Sequence, residues 1–510
     1  MEGVIRRRKK GIIKPIKINK GIMMLEDNER DEPLSPSSVM FHKPNFNIHI
    51  LAIMGCKTTI DLELCKAKLP FTLLKHPRFS SVVVGDLSKG EELRWVRTKV
   101  DLDKHIIVPN IHQENIESPD KYVEDYIYNL SKTTLDKSRP LWDIHVLHLK
   151  LSKDVKALAI FRIHHSLGDG TSLISLLMAL TRKTSDANSL PTIPVQKVYE
   201  EDDDNGRKWL IWRWVLELWW VLKLSWNTLM DVLIFVATAL FLKDNALLKS
   251  STKGGSVNKP RRIVYKIFSL DDMKLVKNAI DGTINDVALG ITEAGLSRYL
   301  NRKYGINVDD HIRLRSVLLI NIRPTGGIQA LADMMEKDTE VKWGNSLGYV
   351  LLPFTIGLRD DPLDYIRKAK AKVDRKKHSL EVLYTYFIAE VVMKLFGNKF
   401  ASKVSDRINA HTTIAFSNLV GPLEEIGFYG HPLAFLAPSS YGQPHELMIN
   451  FQSYTNKMTL VLAVDEDVVP DPHQLCDDIV ESLKQVKDAV ITKGLVKDFA
   501  VPNGNPTAHQ

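Results

Sequence analysis

Apolar runs of strand length are spaced along most of the chain and alternate with stretches of helical periodicity. Residues 141–149 and 157–163 are two such runs, and the polar stretch 151–154 between them favours a hairpin turn. Four leucines follow at positions i, i+3, i+4 and i+7: Leu173, Leu176, Leu177 and Leu180. This spacing places them on one face of a helix.

The same patterns predict mixed α/β structure for the rest of the chain. Helices are predicted over 60–74 and 285–304. Strands are predicted over 46–53, 79–84, 263–268, 314–322, 349–354, 448–454 and 458–464, with 455–457 as the hairpin turn between the last two.

Polar segments divide the chain. Residues 184–208 are rich in Ser, Asp, Asn and Pro, which favours a surface linker. The first 33 residues hold a basic block and then an acidic one, a composition that predicts disorder. We therefore expect a disordered tail over 1–33, an N-terminal domain over 34–190, a connector over 191–260, a C-terminal domain over 261–495 and a second disordered tail over 496–510.

The connector carries an unusual surface. Six of the nine tryptophans lie between residues 209 and 226, and residues 232–242 contain no charge. Residues 209–242 are apolar enough to suggest a transmembrane helix, but a single crossing would separate the two halves of the chain by a bilayer. We expect an interfacial or re-entrant helix pair with tryptophans at headgroup depth, the alternative being a connector packed on the protein.

The net charge of +8 is concentrated near the N-terminus, where residues 3–25 hold eight Lys or Arg and no acid. Residues 5–20 are expected to meet an anionic membrane surface rather than nucleic acid, because no recognisable nucleic-acid module accompanies them. Three scattered cysteines predict no disulfide framework, and no apolar stretch of signal-peptide length follows the basic start. A reducing, cytosol-facing location fits both features.

The segment His164-His165-Ser166-Leu167-Gly168-Asp169-Gly170 follows the second apolar run and precedes the leucine-patterned helix. Neighbouring residues at a strand end point to opposite faces, which argues against one metal site holding both histidines. One histidine can serve as a general base while the other packs. Asp169 orients the loop or caps the helix, and Gly168 and Gly170 would permit a tight turn at positive φ.

HHSLGDG resembles the HHxxxDG motif of the acyltransferase superfamily that includes chloramphenicol acetyltransferase, peptide-synthetase condensation domains and wax ester synthases. Further segments resemble the plant bifunctional wax ester synthase/diacylglycerol acyltransferase family, in the family's order over about residues 32–470. They are EPLSP at 32–36 with FH at 41–42, HPRF at 76–79, PLW at 140–142, NDV at 285–287, NIRP at 321–324, GNSLG at 344–348 and SNLVGP at 417–422.

The resemblance implies a two-domain chloramphenicol-acetyltransferase-like α/β fold, each domain a mixed sheet with helices, and an active-site tunnel at the domain interface. It implies transfer of a fatty acyl group from acyl-CoA to a long-chain alcohol or diacylglycerol at the endoplasmic reticulum membrane, facing the cytosol, with the plasma membrane as a further location. No cofactor, metal or acyl-enzyme is required.

The resemblance also assigns residue roles. His165 is the general base, with His164 beside it, and Asp169 is structural, with Arg323 as the expected partner. Pro140, Leu141 and Trp142 would shape the cleft, although a tryptophan is more often core. Asn285 would contact substrate or cap its helix, beside Asp286. Ser417 and Asn418 complete the set.

Three alternatives remain at this stage. GNSLG satisfies the G-x-S-x-G nucleophile elbow, which needs a strand before the serine and a helix after it. The plant BAHD acyltransferases share HxxxD and acylate small soluble alcohols, but their DFGWG signature is absent here. A silent lipid-binding protein of the same fold is the third. The basic runs 249–266 and 367–377 are candidates for binding the phosphates of CoA. The plainer interpretation is that both runs are solvated helix faces.

Overall fold

The computed structural model describes residues 31–87, 89, 91–112, 114, 116–194, 210–248, 259–305, 312–322, 327–337, 343, 345 and 347–496. The basic segment 5–20, most of the predicted linker, Arg323, Ser346 and almost all of the C-terminal tail lie outside the described residues.

Helices are distributed along both halves of the chain. They are α1 Pro36–Met40, α2 Leu62–Lys68, α3 Pro119–Ser131, α4 Gly170–Leu180, α5 Leu210–Leu240, α6 Leu270–Ala279, α7 Ile284–Tyr304, α8 Gly327–Lys337, α9 Leu363–Lys377, α10 Glu381–His411 and α11 Pro472–Thr492.

The strands are β1 Glu32–Pro33, β2 His49–Cys56, β3 Ser81–Val84, β4 Arg94–Arg97, β5 Ile106–Ile107, β6 Trp142–Leu147, β7 Ala157–His164, β8 Thr181–Lys183, β9 Arg262–Ser269, β10 Arg313–Asn321, β11 Leu347–Thr355, β12 Ile414–Leu419, β13 Ile426–Phe428, β14 His431–Tyr441, β15 Leu447–Tyr454 and β16 Lys457–Val464.

Two mixed sheets organise the molecule. The first sheet has the order β5-β6-β7-β2-β14-β13-β8, and the second has the order β11-β10-β12-β15-β16-β9. Strands β13 and β14 come from the C-terminal half of the sequence but pair within the first sheet, β14 lying antiparallel to β2. The two halves therefore share a sheet, and the boundaries given above for the domains stay a prediction.

Both faces of the first sheet are covered. The side chains of β7 are buried along its whole length, which explains its unbroken apolar run. One face packs on α4 and α2, and the other packs on α3 and on side chains of β9 and β16 from the second sheet. The second sheet buries its opposite face under α6, α7, α9 and α11.

Sequence patterns located most of these elements correctly. The hairpin β6–β7, the helices α4 and α7 and the hairpin β15–β16 lie where they were predicted. Strand β2 begins three residues later than predicted, and the helix expected over 60–74 ends at Lys68, with short 3₁₀ turns continuing past Pro70.

The predicted helix pair over 209–242 is wrong, because α5 is one continuous helix of 31 residues. No glycine or proline interrupts it, so nothing in the segment breaks the backbone hydrogen bonding. Within the described residues, one helix, Trp214–Leu240, is long and apolar enough to cross a membrane as judged by length and composition.

Candidate active site

The HHSLGDG motif leaves the end of β7 and enters α4. Strand β7 ends at His164, residues 165–167 form a 3₁₀ turn, and Asp169 caps α4 by accepting a hydrogen bond from the Ser172 backbone N–H at 2.8 Å. Asp169 is buried, and its predicted partner Arg323 lies outside the described residues. The capping role is therefore observed, while the pairing with Arg323 stays a prediction.

His165 lies against an aromatic ring. Its imidazole stacks on Phe41 with ring centroids 4.2 Å apart. Its backbone N–H donates to Ile48 O at 2.9 Å, and its carbonyl accepts from Asn345 Nδ2 at 2.9 Å. Burial lowers the pKa of His165 to about 4, although a hydrogen bond with its own backbone acts in the opposite direction and raises the pKa. The ring is therefore neutral at pH 7 and has a lone pair that can accept a proton.

His164 points the other way, as expected for neighbours at a strand end. Its Nε2 lies 2.9 Å from Asn47 Oδ1, and its Nδ1 lies 2.7 Å from Ser166 Oγ. The ring is 2% exposed, and burial lowers its pKa well below the ordinary value. Both nitrogens are engaged, so His164 is suited to holding the turn in place rather than to moving a proton.

Three side chains hold the turn after His165 from outside the motif. Ser38 Oγ donates to Ser166 O at 3.1 Å, Asn345 Nδ2 contacts Ser38 Oγ as well as the His165 carbonyl, and Trp343 Nε1 donates to Leu167 O. Sequence reasoning gave none of these residues a role, nor Phe41. Phe41 and Asn345 do lie in segments that resemble the family, which was the available signal.

The expected positive φ at Gly168 is wrong. Its φ is 177°, which is ordinary extended backbone. A Cβ on Gly168 would lie 2.8 Å from Trp343 Cζ2, so glycine is required here by the close approach of the indole. Gly170, the first residue of α4, does not have a positive φ either.

Pro140, Leu141 and Trp142 are core residues. Trp142 is 1% exposed, and its Nε1 donates to Phe79 O at 2.8 Å. The Leu141 carbonyl accepts from the His164 N–H at 3.0 Å. These residues do not border the large cavity described below. Their contribution is therefore to position the end of β7 rather than to form the wall of that cavity.

The C-terminal half meets the motif through β12. A Cβ on Gly170 would lie 3.4 Å from the Leu419 side chain. Asn418, the preceding residue, donates from Nδ2 to Asn285 Oδ1, and Ser417 lies next along β12. The structure thus brings Asn285 and Asn418 together, and Asn418 directly precedes Leu419, the residue that contacts the motif at Gly170.

Asp286 has a local role. Its carboxylate accepts from the Thr283 backbone N–H at 2.7 Å, and the Thr283 side chain accepts in return from the Asp286 N–H. This reciprocal pair is a capping box at the start of α7. Asp286 therefore orients the helix that presents Asn285.

An apolar cavity of about 100 Å³ begins at the motif and extends beneath α4. Its walls include the four leucines of α4, together with Ile50, Ala52, Met54 and Cys56 of β2 and Ile163, Phe161 and Ala159 of β7. From Ile50 to Cys56 the wall spans six residues, or about 20 Å at the rise of a strand. The cavity is therefore long, narrow and almost entirely hydrocarbon.

Two thiols line the deep end of this cavity. Burial raises the pKa of Cys56 to about 12 and that of Cys65 to about 11. Both thiols are protonated at neutral pH, and neither is an activated nucleophile. Within the residues that the structure describes, no group of three or more His, Cys, Asp or Glu side chains is arranged to hold a metal ion.

The cations proposed to meet CoA phosphates are mostly engaged elsewhere. In the first run, Lys259 pairs with Asp467, and Arg262 pairs with Asp125 and Glu466. In the second run, Arg375 and Lys376 pair with Asp231. Most described cations of the two runs therefore have a protein partner, and a contact of either run with CoA phosphates stays a prediction.

The elbow interpretation of GNSLG also fails on context. Strand β11 begins at Leu347, directly after Ser346, where a nucleophile elbow requires a helix.

Comparisons with known proteins agree with this geometry. Residues 72–288 match the family described as the wax ester synthase/diacylglycerol acyltransferase catalytic domain, and residues 343–487 match the WS/DGAT C-terminal domain. Wax ester synthase/diacylglycerol acyltransferase 11 of Arabidopsis thaliana is 47% identical over 473 residues, covering 91% of this chain and 96% of the relative. Wax ester synthase/diacylglycerol acyltransferase 5 of the same plant is 44% identical over 95% of this chain and 98% of the relative.

Solved structures share the fold at low identity. The wax ester synthase/diacylglycerol acyltransferase from Marinobacter aquaeolei VT8 superposes with a TM-score of 0.56 at 16% identity, covering 91% of this chain and all of that chain. The first condensation domain of the CDA synthetase gives 0.55 at 11% identity, covering 90% and 96%. The two-domain fold expected from the motif is thereby confirmed, and with 47% identity over nearly its whole length to one relative, this chain belongs to the wax ester synthase/diacylglycerol acyltransferase family of acyl-CoA-dependent O-acyltransferases.

Proposed function

We propose that this protein esterifies a long-chain alcohol or diacylglycerol with the acyl group of a fatty acyl-CoA, by direct transfer with His165 as general base. The acceptor hydroxyl attacks the thioester carbonyl while its proton passes to the neutral imidazole. The tetrahedral intermediate then expels the CoA sulfur, which takes the proton back as a thiol. The products are an ester and free CoA, and no acyl-enzyme forms.

The observation that carries this proposal is the hydrocarbon cavity that begins beside the catalytic turn. Ile163 and Gly170, on either side of His165 in sequence, both line it, and the leucine face of α4 forms its roof. Such a cavity fits an acyl chain, because burying methylene groups is favourable by about 0.8 kcal/mol each. The cavity therefore favours a fatty acyl donor.

Membrane attachment through α5 is part of the proposal. The polar residues of its C-terminal half face the protein: Asn227 donates to His378 O at 3.0 Å, Asp231 is fully buried against Arg375 and Lys376, and Arg315 donates to Thr238. These contacts tie this half of α5 to the C-terminal body.

The N-terminal half projects away from the body. Trp214, Trp219 and Trp226 are 71%, 66% and 64% exposed, and most of the residues between them are exposed apolar side chains. Residues 214–226 form about 20 Å of helix, whereas the hydrocarbon core is about 30 Å thick. The projecting half therefore inserts into one leaflet, which leaves both halves of the active site on one side of the membrane. We assign that side to the cytosol at the endoplasmic reticulum, consistent with three cysteines that form no disulfide.

Purified protein and radiolabelled palmitoyl-CoA test the reaction, with hexadecanol, dioleoylglycerol or a phenolic alcohol as acceptor. We expect labelled ester from the lipid acceptors and loss of turnover in His165→Ala. Ester formed only from the phenolic alcohol would favour the BAHD-like reaction. No ester from any acceptor would leave a silent lipid-binding protein.

Vesicle flotation tests the membrane contact. Trp219→Asp should weaken binding to bilayers, because a charge replaces an interfacial aromatic side chain. Phe71→Asp is the matched control, since Phe71 is a 73% exposed aromatic residue on the N-terminal half of the chain. Removal of residues 1–25 should reduce binding to anionic vesicles specifically, and unchanged binding would remove the basic segment from the proposal.

A further inference from the structure

A second, smaller pocket of about 40 Å³ lies near the catalytic histidine, with Phe41 in its wall. It is formed between the N-terminal segment Met40, Phe41 and Phe46 and the C-terminal residues Tyr349, Tyr386 and Met393. Tyr349 belongs to β11, and Tyr386 and Met393 belong to the first part of α10. The pocket thus lies where the two halves of the chain meet.

One ring separates this pocket from the base. Phe41 forms part of the pocket wall and stacks on His165 at 4.2 Å, and Phe46 stacks on Phe41 at 5.4 Å. The large cavity beneath α4 also begins at the catalytic turn, at Ile163 and Gly170. Two apolar spaces therefore come close to His165, and the cavity beneath α4 is assigned to the acyl chain.

The outer wall of the small pocket continues into an exposed apolar surface. On α10, Phe387, Leu395 and Phe396 are 60%, 70% and 61% exposed. Exposed lysines at positions 394, 399 and 403 lie among these side chains. Apolar rings flanked by cations are typical of a helix at the interface of an anionic bilayer.

This surface is continuous with the proposed membrane-binding helix. The second part of α10 packs against α5 through Ile408, Val404 and Phe235, and Arg407 donates to Leu240 O at 2.7 Å. A backbone break at Gly397, with φ 76° and ψ 169°, separates this part from the part that lines the pocket. α10 is therefore joined to the half of α5 that is tied to the body, and its own exposed apolar and basic side chains would bring a bilayer to the outside of the pocket.

We propose that this pocket is the entrance through which the acceptor lipid reaches His165 from the bilayer, with the alkyl chain between α10 and residues 40–46. The proposal rests on the acyltransferase function above. The residues that line the pocket include three with hydroxyl groups, Ser37, Tyr349 and Tyr386, and none of them is a Lys or Arg. A neutral lipid alcohol fits such a wall, whereas the phosphates of CoA would lack a cationic partner there. Displacement of the Phe41 ring joins the pocket to the base.

The test compares two tryptophan substitutions. Met393→Trp fills the pocket, whereas Ile491→Trp adds the same side chain on α11, at a 51% exposed position outside the pocket lining and outside the apolar surface of α10. Esterification is measured with palmitoyl-CoA and, separately, hexadecanol in vesicles or a short water-soluble alcohol. Met393→Trp should raise KM for hexadecanol about tenfold or more, with KM for palmitoyl-CoA and turnover of the short alcohol unchanged. Ile491→Trp should match the native protein.

An equal loss with both alcohols, or an unchanged KM for hexadecanol, would overturn the entrance. If the native protein itself forms no ester, the proposed function fails instead, so the two failures are distinguishable. A diazirine-bearing long-chain alcohol gives a readout that needs no variant. Its crosslinks should fall within residues 386–393 and 40–46, and labelling confined to other segments would contradict the proposal.

Discussion

The aromatic ring of Phe41 stacks on the imidazole of His165, with centroids 4.2 Å apart and planes 18° from parallel. Phe41 comes from the N-terminal segment and His165 from the turn after β7, 124 positions later. The ring covers one face of the imidazole and excludes water from it. Since burial is the main cause of the lowered pKa of His165, the stack has a measurable consequence.

Phe41→Ala should shift the pH dependence of esterification. In the native protein His165 has a pKa of about 4, so kcat/KM falls only as pH approaches that value and the base becomes protonated. Admitting water stabilises the imidazolium, which raises the pKa toward 6.5 and moves the acid limb upward. Rates measured from acid to neutral pH check this. Phe46→Ala is the control, because Phe46 stacks on Phe41 and not on His165. It should leave the pH profile close to that of the native protein. Coincident profiles for native protein and Phe41→Ala would contradict the assignment.

Substitutions of the two motif histidines should have different effects. His165→Ala should lower kcat by about 10²–10⁴-fold and leave the thermal midpoint nearly unchanged, because it removes a proton acceptor. His164→Ala removes the partner of Asn47 and Ser166 and should lower the free energy of unfolding by about 1–3 kcal/mol. Calorimetry beside steady-state kinetics separates the two. Equal destabilisation by both would argue that His165 is also structural.

Ala159→Phe should shorten the acyl chain that the enzyme accepts. Ala159 lines the large cavity beside Met54, its partner on the neighbouring strand β2. It lies four residues from Ile163, which places it about 13 Å from the catalytic end of the cavity. An octanoyl chain ends above this level, and a palmitoyl chain extends past it. We expect kcat/KM for palmitoyl-CoA to fall at least tenfold while octanoyl-CoA is turned over normally. Ala159→Val should give an intermediate loss, and a uniform decrease for both donors would contradict the cavity assignment.

Asp231→Asn should loosen α5 from the body. The carboxylate is fully buried and pairs with Arg375 and Lys376, so its removal takes the counter-charge from Arg375 and leaves Lys376 paired with Glu381 alone. Breaking a buried pair costs about 3–5 kcal/mol, and partial exposure of Arg375 favours the lower end. The measurement is limited proteolysis across residues 210–248 together with the unfolding midpoint. Glu217→Gln, an exposed acid on the same helix, should change neither. Native-like protection in Asp231→Asn would refute the anchoring role.

Local patterns were sufficient to predict those elements in which the spacing of apolar residues directly reflects which face of the element is buried. The hairpin β6–β7, the leucine face of α4 and the capped helix α7 follow from period and capping residues alone. Strand β14 was not predicted, although its eleven residues pair with β2 along most of their length. Its partner lies nearly 400 positions away in sequence, and an apolar pattern gives the period of a strand but not its neighbour.

The sequence by itself determined the family of this protein, because a doubled histidine, Gly-Asp-Gly and the accompanying segments identify it, and it singled out His165 as the proposed base. The tertiary structure decided what surrounds that histidine: Phe41 over His165, Asn345 and Trp343 on its turn, and two apolar spaces nearby. It also decided that Asp231, a charged residue within the apolar connector, faces cations of the protein. Composition gives the polarity of a helix, but only packing fixes which face contacts protein and which remains free for a bilayer.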